Sequence, residues 1–272
     1  MSIITLLTDF GTHDYFVGAM KGVILSINPE VHIVDITHDV PPQDIEAAAF
    51  NLLACYKDFP AGTVHVAVVD PGVGSSRRPI VVECASQLFV GPDNGLFSWI
   101  CEREGKHKAR HVTNEAFPRD QVSTTFHGRD VFAPIAAHLS NGTSPDELGP
   151  LVLNIVSLAA LAPRVTNEGV EGRIIHVDRF GNCITNLTAD HFGDRLGAGA
   201  TLNVNEQRVT GFREFFSQAK PRSDEKLFMI LGSAGFIEIA ARNASAANIL
   251  NAHRGQSVVL VTGVAHQKIT SS

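Results

Sequence analysis

An excess of positive charge is what this sequence most plainly lacks. Its 22 lysines and arginines stand against 28 acids, a formal net charge of -6. No basic stripe is present to neutralise phosphates, so a nucleic-acid partner is not expected. The densest basic run, Arg103 to Arg110, is broken by Glu104 and is expected to coat a solvated helix end. Cysteine is scarce as well. Cys55, Cys84, Cys101 and Cys183 show neither C-x-x-C spacing nor the density of a disulfide scaffold, and three lie in apolar stretches. Buried reduced thiols are the expectation. Long apolar runs are also missing: Ile3-Ile4-Thr5-Leu6-Leu7 is ended by Asp9. No segment reaches the roughly 20 apolar residues that cross a bilayer, and the N-terminus carries no leader pattern. A cytoplasmic protein with no membrane partner is expected.

What is there is ordinary globular composition, with 44% hydrophobic and 18% charged residues among 272. That length suits one large domain or two modest ones. The first part alternates strand-like and helix-like segments. Ile3–Leu7, Val31–Ile36 and Thr63–Val69 read as strands, and Ile80–Cys84 with Leu88–Val90 as an antiparallel pair. Tyr15–Ile27 reads as a helix with Val17, Met20, Ile24 and Ile27 near one face, stopped by Pro29. A second helix carries the stripe Ile45, Ala48, Ala49, Leu52 and Leu53, and a third spans Val131–Leu139. The pattern predicts an α/β N-terminal domain, residues 1–165, with a mainly parallel sheet. A polar, turn-prone linker, Pro163 to Gly169, leads into residues 166–272. There short strand candidates follow closely: Arg173–Val177, Cys183–Leu187, Thr201–Val204, Leu227–Leu231, Phe236–Ala240 and Ser257–Val261. A smaller all-β, barrel-like C-terminal domain is predicted.

Loops at the carboxyl ends of parallel strands gather ligands. Three such loops carry acids: Thr8-Asp9-Phe10-Gly11, Asp35-Ile36-Thr37-His38-Asp39 and Asp70-Pro71-Gly72-Val73-Gly74, the last followed by Arg77-Arg78. The Asp70 loop reads either as a site or as a plain capped turn with exposed arginines. It is no phosphate cradle, because no Gly-Lys-Ser/Thr follows Gly74. Thr125-Phe126-His127-Gly128-Arg129-Asp130 places a histidine and a glycine at a helix entrance, where a ligand can approach closely. Asp178-Arg179-Phe180-Gly181-Asn182 reads as a hairpin turn. Metal binding has little support. His107 and His111 stand at i, i+4 without an acid or cysteine beside them, and His38-Asp39 with Asp44 is the remaining candidate. No G-x-S-x-G elbow or activated cysteine points to a covalent nucleophile.

Together the segments resemble the S-adenosyl-L-methionine hydroxide adenosyltransferase family, relatives of the fluorinases and chlorinases. The resemblance runs from Leu6-Leu7-Thr8-Asp9-Phe10-Gly11 to the Gly235–Ala246 region. Its most specific parts are Asp70-Pro71-Gly72-Val73-Gly74 with Arg77, Phe126-His127-Gly128-Arg129-Asp130, and Phe180-Gly181-Asn182 with Thr185-Asn186. It implies hydrolysis of S-adenosyl-L-methionine to adenosine and L-methionine, with Asp70, Arg77 and His127 as the catalytic set. Asp9 matches the acid on the ribose hydroxyls, Asp178 and Ser233 match groups around the methionine amino and carboxylate ends, and Asn182 matches the reader of the adenine edge. The halogenases carry Tyr for the Asp and Tyr-Ser where His127-Gly128 stands here, so water is the implied nucleophile. Gln43 replaces the halogenase Trp, which removes an aromatic wall. The resemblance also implies homotrimers with sites between one subunit's N-terminal and its neighbour's C-terminal domain. Neither metal nor redox cofactor is implied. A non-catalytic binder or sensor of the same ligand and a halide-using transferase are the rival readings.

Overall fold

The strand of Val64 to Val68 shows how the first domain is built. Val64, Val66 and Val68 join one apolar cluster, while His65 and Ala67 point to the other side. The computed structural model describes residues 2–166, 169–192, 199–216 and 226–261. The chain divides into two compact units, Met1–Ala160 and Leu161–Ser272.

In the first unit the order is β1 (Ile3–Thr8), α1 (Phe16–Ile27), β2 (His32–Thr37), α2 (Ile45–Cys55), β3 (Val64–Val68), β4 (Pro79–Cys84), β5 (Gln87–Pro92), α3 (Ser98–Glu104), β6 (His107–His111), α4 (Ala133–Ser140) and β7 (Leu151–Val152). The strands form one sheet in the order β2-β1-β3-β5-β4-β6-β7. Its β2-β1-β3-β5 half is parallel, and every pairing beyond β5 is antiparallel. The sheet is therefore mixed rather than mainly parallel. The reversal occurs at Ala85 and Ser86, whose φ angles of 52° and 60° make the tight left-handed turn that suits a two-residue hairpin. Neither residue is Gly, Asn or Asp, so the turn is faint in the sequence.

Helices α1 and α4 pack on each other and on the sheet through Val17, Met20, Ile24, Ile135 and Leu139. Burying each such side chain contributes about 1.5–3 kcal/mol. Helix α2 is capped by Asp44, whose carboxylate accepts from the Ala47 N–H at 2.9 Å. On the other face of the sheet His65 is fully buried between Thr5 Oγ1, 2.7 Å away, and Gln87 Oε1, at 3.3 Å. Burial pushes its pKa down to about 4, so it is a neutral structural histidine. The basic run does not coat a helix end beyond Arg103. It continues into β6, where Arg110 is largely buried and paired with Glu83 and Asp146.

The second unit contains β8 (Arg164–Thr166), β9 (Gly169–Val177), β10 (Cys183–Thr188), α5 (Ala189–Phe192), β11 (Thr201–Val204), β12 (Gln207–Val209), β13 (Phe212–Arg213), β14 (Leu227–Leu231), β15 (Phe236–Ala241), α6 (Ala246–Leu250) and β16 (Ser257–Val261). Its sheet runs β12-β11-β16-β9-β10-β15-β14-β13, with β8 on β9. The sheet curls as a half barrel around Ile174, Leu187, Leu202, Ile237, Ile239 and Leu260. Two short helices, α5 and α6, mean that this unit is not purely β. The expected linker from Pro163 includes β8, and its residues 167–168 lie outside the described residues. All four cysteines are free; Cys84, Cys101 and Cys183 are buried and Cys55 is half-buried. Among the described residues no helix is long and apolar enough to cross a membrane.

Candidate active site

Strands β1, β2 and β3 run parallel, so the segments that follow them emerge on one edge of the sheet. Asp9 follows β1, His38 follows β2, and Asp70 lies two residues past β3; Asp35 belongs to β2 itself. The chain after Asp70 turns back at once. Val73 N–H bonds to the Asp70 carbonyl at 3.2 Å, Ser75 N–H to that of Gly72 at 3.1 Å, and Ser75 Oγ accepts from the Arg77 N–H at 3.3 Å. Gly74 makes the turn possible. Its φ is 76°, and a Cβ there would sit 2.5 Å from the Thr124 carbonyl oxygen.

These turns return Arg77 to Asp70. Arg77 Nε donates to both carboxylate oxygens at 2.9 Å, and Nη2 donates to Oδ2 as well. Both side chains are buried, 9% and 5% exposed, so the pair neutralises charge that the interior would not tolerate singly. The same Nη2 lies 2.7 Å from His127 Nδ1, and the guanidinium stacks 5.2 Å over the Phe132 ring. Asp70 and Arg77, on one loop, and His127, 50 residues beyond Arg77, thus form one continuous array. The neighbouring Arg78 serves elsewhere. It donates to the buried Asp93 at 2.9 Å through Nε and to the Asn154 carbonyl at 2.7 Å.

His127 opens a wide turn, Gly128–Phe132, in which Ala133 N–H bonds back to the Gly128 carbonyl. This π-type turn occupies the start of the expected Val131–Leu139 helix, and such turns favour functional positions. Asp130 anchors it from below. Its fully buried carboxylate takes Arg129 Nε at 2.7 Å, the Ser123 N–H at 2.9 Å and Arg119 Nη1 at 3.2 Å. Burial alone would raise its pKa. The Arg129 and Ser123 hydrogen bonds and the two guanidinium charges outweigh burial and hold it below the usual carboxylate range. Gly128 is not a gap for ligand. A Cβ there would meet Met20 Sδ at 3.2 Å and the Phe10 and Phe126 rings at 3.3 Å.

A guanidinium only donates, so His127 Nδ1 is the acceptor of the Arg77 contact and its proton lies on Nε2. Burial and the Arg77 charge lower the pKa of His127, against opposing pulls from Asp70 and Asp130. The imidazole is therefore neutral at neutral pH. The sign is clear for stability also. A histidine with a lowered folded pKa contributes stability present above its ordinary value, about 6.5, and lost as pH falls through the folded value. Turnover is expected to be level from neutral pH down past that ordinary value, then to fall once Nδ1 is protonated against Arg77. A pH profile of kcat/KM checks this, and an acid limb at or above the ordinary histidine value would contradict it.

Asp9 stands on the adjoining loop. Its Oδ2 accepts the Gln43 N–H at 2.8 Å, and Gln43 adopts a left-handed φ of 65°. The backbone of Gln43, rather than its side chain, meets Asp9. The Asp9 loop reaches the His127 segment through Phe10, whose ring lies 5.9 Å from that of Phe126.

In the second unit, Asp178 organises the turn between β9 and β10. Its Oδ1 accepts from the Phe180 and Asn182 N–H groups at 2.9 and 2.8 Å, and its Oδ2 from Asn182 Nδ2 at 2.9 Å. Asp178, Asn182 and Ser233 line one cleft of about 830 Å³, together with Phe180, Phe228 and Ile230. Thr185 and Asn186 are structural: Thr185 Oγ1 donates to the Ile237 carbonyl at 2.7 Å, and Asn186 ties Leu161 and Arg173. Glu238 is a cleft residue that the sequence reading missed. Its carboxyl occupies the space left by the absent side chain of Gly232, and burial together with the Asp178 charge raises its pKa. The only signal was an acid between Ile237 and Ile239 on a core strand. Among the described residues no group of three or more His, Cys, Asp or Glu side chains is placed to hold a metal ion.

A model of the SAM hydroxide adenosyltransferase N-terminal domain matches residues 4–149, and one of its C-terminal domain matches residues 172–259. An (R)-S-adenosyl-L-methionine hydrolase of Thermus thermophilus is 37% identical over 271 residues, covering 96% of this chain and 100% of that protein. One from Methanocaldococcus jannaschii is 36% identical, with 92% of each chain covered. A fluorinase of Nocardia brasiliensis is 27% identical over 96% of this chain and 97% of its own. The crystal structure of an uncharacterized conserved protein from Thermotoga maritima superposes with a TM-score of 0.88 at 36% identity, covering 95% of this chain and all of that one.

Proposed function

The chain belongs to the SAM hydroxide adenosyltransferase family, and from that premise we infer that it is an S-adenosyl-L-methionine hydrolase. It cleaves its substrate with water to adenosine and L-methionine. The observation that carries this reading is the continuous Asp70–Arg77–His127 array. A protein that only bound the ligand would not need a buried guanidinium and a neutral imidazole so arranged.

The reaction is a displacement at the ribose 5′ carbon. Methionine leaves a sulfonium as a neutral thioether, so departure needs no acid. The nucleophile is the harder part, because bulk water has a pKa of about 15.7. Arg77 and the Nε2–H of His127 are the donors that hold the attacking oxygen and favour its hydroxide-like form; the C5′–O bond forms as the C5′–S bond breaks, and the proton given up by the water is released to solvent. Asp70 already accepts from Arg77 through both oxygens, which supports an orienting role for it over that of proton acceptor. Its charge also screens the sulfonium from the guanidinium. Attraction between a developing hydroxide and the sulfonium then lowers the barrier in a site closed to bulk water. Holding oxygen and carbon about 3–3.5 Å apart and in line contributes up to roughly 7–11 kcal/mol.

Asp9 is assigned to the ribose hydroxyls, Asn182 to the adenine edge, and Asp178 and Ser233 to the methionine end. The packed surroundings of Gly128 support water over halide, since a serine hydroxyl there would meet Met20, Phe10 and Phe126. The site is completed in a homotrimer, one subunit giving the catalytic array and its neighbour the cleft. The exposed apolar side chains at that cleft, Phe180, Phe216 and Leu231, support a face that is covered in the assembly. Free thiols support a cytoplasmic setting. Incubation with S-adenosyl-L-methionine is expected to release adenosine and methionine in equal amounts. Tight binding without either product would favour a sensor, and halide-dependent products a transferase.

A further inference from the structure

We propose that His38 is a positioning residue for the Asp9 loop, acting through the Thr8 hydroxyl and through its own backbone carbonyl. The inference rests on the reading of Asp9 as the acid that holds the ribose hydroxyls.

His38 is 4% exposed and immediately follows β2, beside the end of β1. Its Nε2 lies 3.1 Å from Asp35 Oδ1, while Asp35 Oδ2 takes Lys21 Nζ at 2.6 Å. The contact lacks hydrogen-bond alignment, but a carboxylate this close attracts a proton on Nε2 and would repel a lone pair there, so the ring proton belongs on Nε2 and Nδ1 is left as an acceptor. Thr8 Oγ1 lies 2.8 Å from Nδ1 and donates its proton there. The lone pairs of that hydroxyl remain for the Phe10 N–H, which it accepts at 3.2 Å. The His38 carbonyl meanwhile accepts the Gly11 N–H at 2.8 Å. Lys21, Thr8, Phe10 and Gly11 each donate to a partner in this series, whereas His38 Nε2 approaches Asp35 without the alignment of a hydrogen bond.

The consequence falls on Asp9. Thr8 and Phe10 on its two sides, and Gly11 beyond, are all fixed from His38, and the Gln43 N–H fixes one carboxylate oxygen. The second oxygen is thereby aimed, with little freedom left to lose when a diol binds. The same bonds dispose of His38-Asp39-Asp44 as a metal set, since both ring nitrogens face other groups and Asp44 caps α2.

The experiment is calorimetry on the full-length protein with adenosine and with 2′,3′-dideoxyadenosine, which lacks both hydroxyls. His38→Ala and Thr8→Val are each expected to weaken adenosine binding about fivefold, the worth of one net hydrogen bond, and to leave the dideoxy nucleoside within about twofold of wild type. His38→Asn, whose amide oxygen takes the place of Nδ1 as acceptor, is expected to restore most of the loss. Thr8→Val keeps shape and volume, so it reports even if His38→Ala folds poorly. Equal weakening of both nucleosides would show general damage and overturn the proposal, as would unchanged adenosine binding in Thr8→Val. Absence of adenosine binding to the wild type would overturn the substrate reading as well.

Discussion

Arg77→Ala is expected to lower kcat by about 10²–10³-fold, the usual loss when one preorganised donor to a developing oxyanion is removed, and to change KM by less than about threefold. The asymmetry follows from what Arg77 touches. Its hydrogen bonds go to Asp70 and His127, and none of the groups assigned to hold substrate depends on it. A structural cost accompanies the kinetic one, because Asp70 is left buried without its partner, a loss of about 3–5 kcal/mol. Arg77→Lys separates the two effects. It keeps the charge and so most of the stability, but a lysine cannot reach Asp70 through two nitrogens and His127 at once. Turnover of that variant is expected to stay well below wild type. Wild-type kcat in Arg77→Lys would show that the geometry of the guanidinium is not used.

Gly74→Ala is the second variant with a large expected effect, and it acts on the backbone. The residue has a φ of 76°, which an alanine adopts at a cost of roughly 1–2 kcal/mol. Its new methyl group would also lie 2.5 Å from the Thr124 carbonyl oxygen. Backbone faces backbone there, so relief requires the Asp70–Arg77 loop and the segment leading to His127 to move apart. Destabilisation of about 3 kcal/mol or more is expected in a denaturant titration. Turnover is expected to fall by at least about 100-fold, because misplacement by an ångström is enough to cost that much. Unchanged stability and turnover would mean that the two segments are not held together at this point.

The sequence announced some of this arrangement and hid the rest, for reasons that individual residues make plain. Apolar periodicity marks β1, α1, β2, α2 and β3 because each buries one face or is enclosed altogether, and a period survives in the letters. Of the antiparallel half only the β4–β5 pair showed, as two apolar runs, although its hairpin at Ala85-Ser86 lacks the Asn-Gly signature; β6, written as a basic run, did not. The turn after His127 read as ordinary helix because the i to i+5 bond at Ala133 leaves no compositional trace. Asp70, Arg77, His127, Asp178, Asn182 and Ser233 stand out through motif resemblance. The structure adds their grouping: the first three share hydrogen bonds, and the last three line one cleft. Glu238 escaped, a single polar letter whose meaning depends on neighbours distant in sequence, and His38 stood out only as a metal candidate with Asp39 and Asp44. Resemblance alone separates Arg77 from Arg78 in the sequence; in the structure Asp70 and Asp93 distinguish them.

In the proposed reaction water, held by Arg77 and His127, attacks the ribose 5′ carbon. The most direct measurement is single-turnover hydrolysis of S-adenosyl-L-methionine in oxygen-18 water, with mass analysis of both products. One heavy oxygen is expected in the 5′ hydroxyl of adenosine and none in methionine. Heavy oxygen in methionine, or adenosine formed without it, would contradict displacement at that carbon.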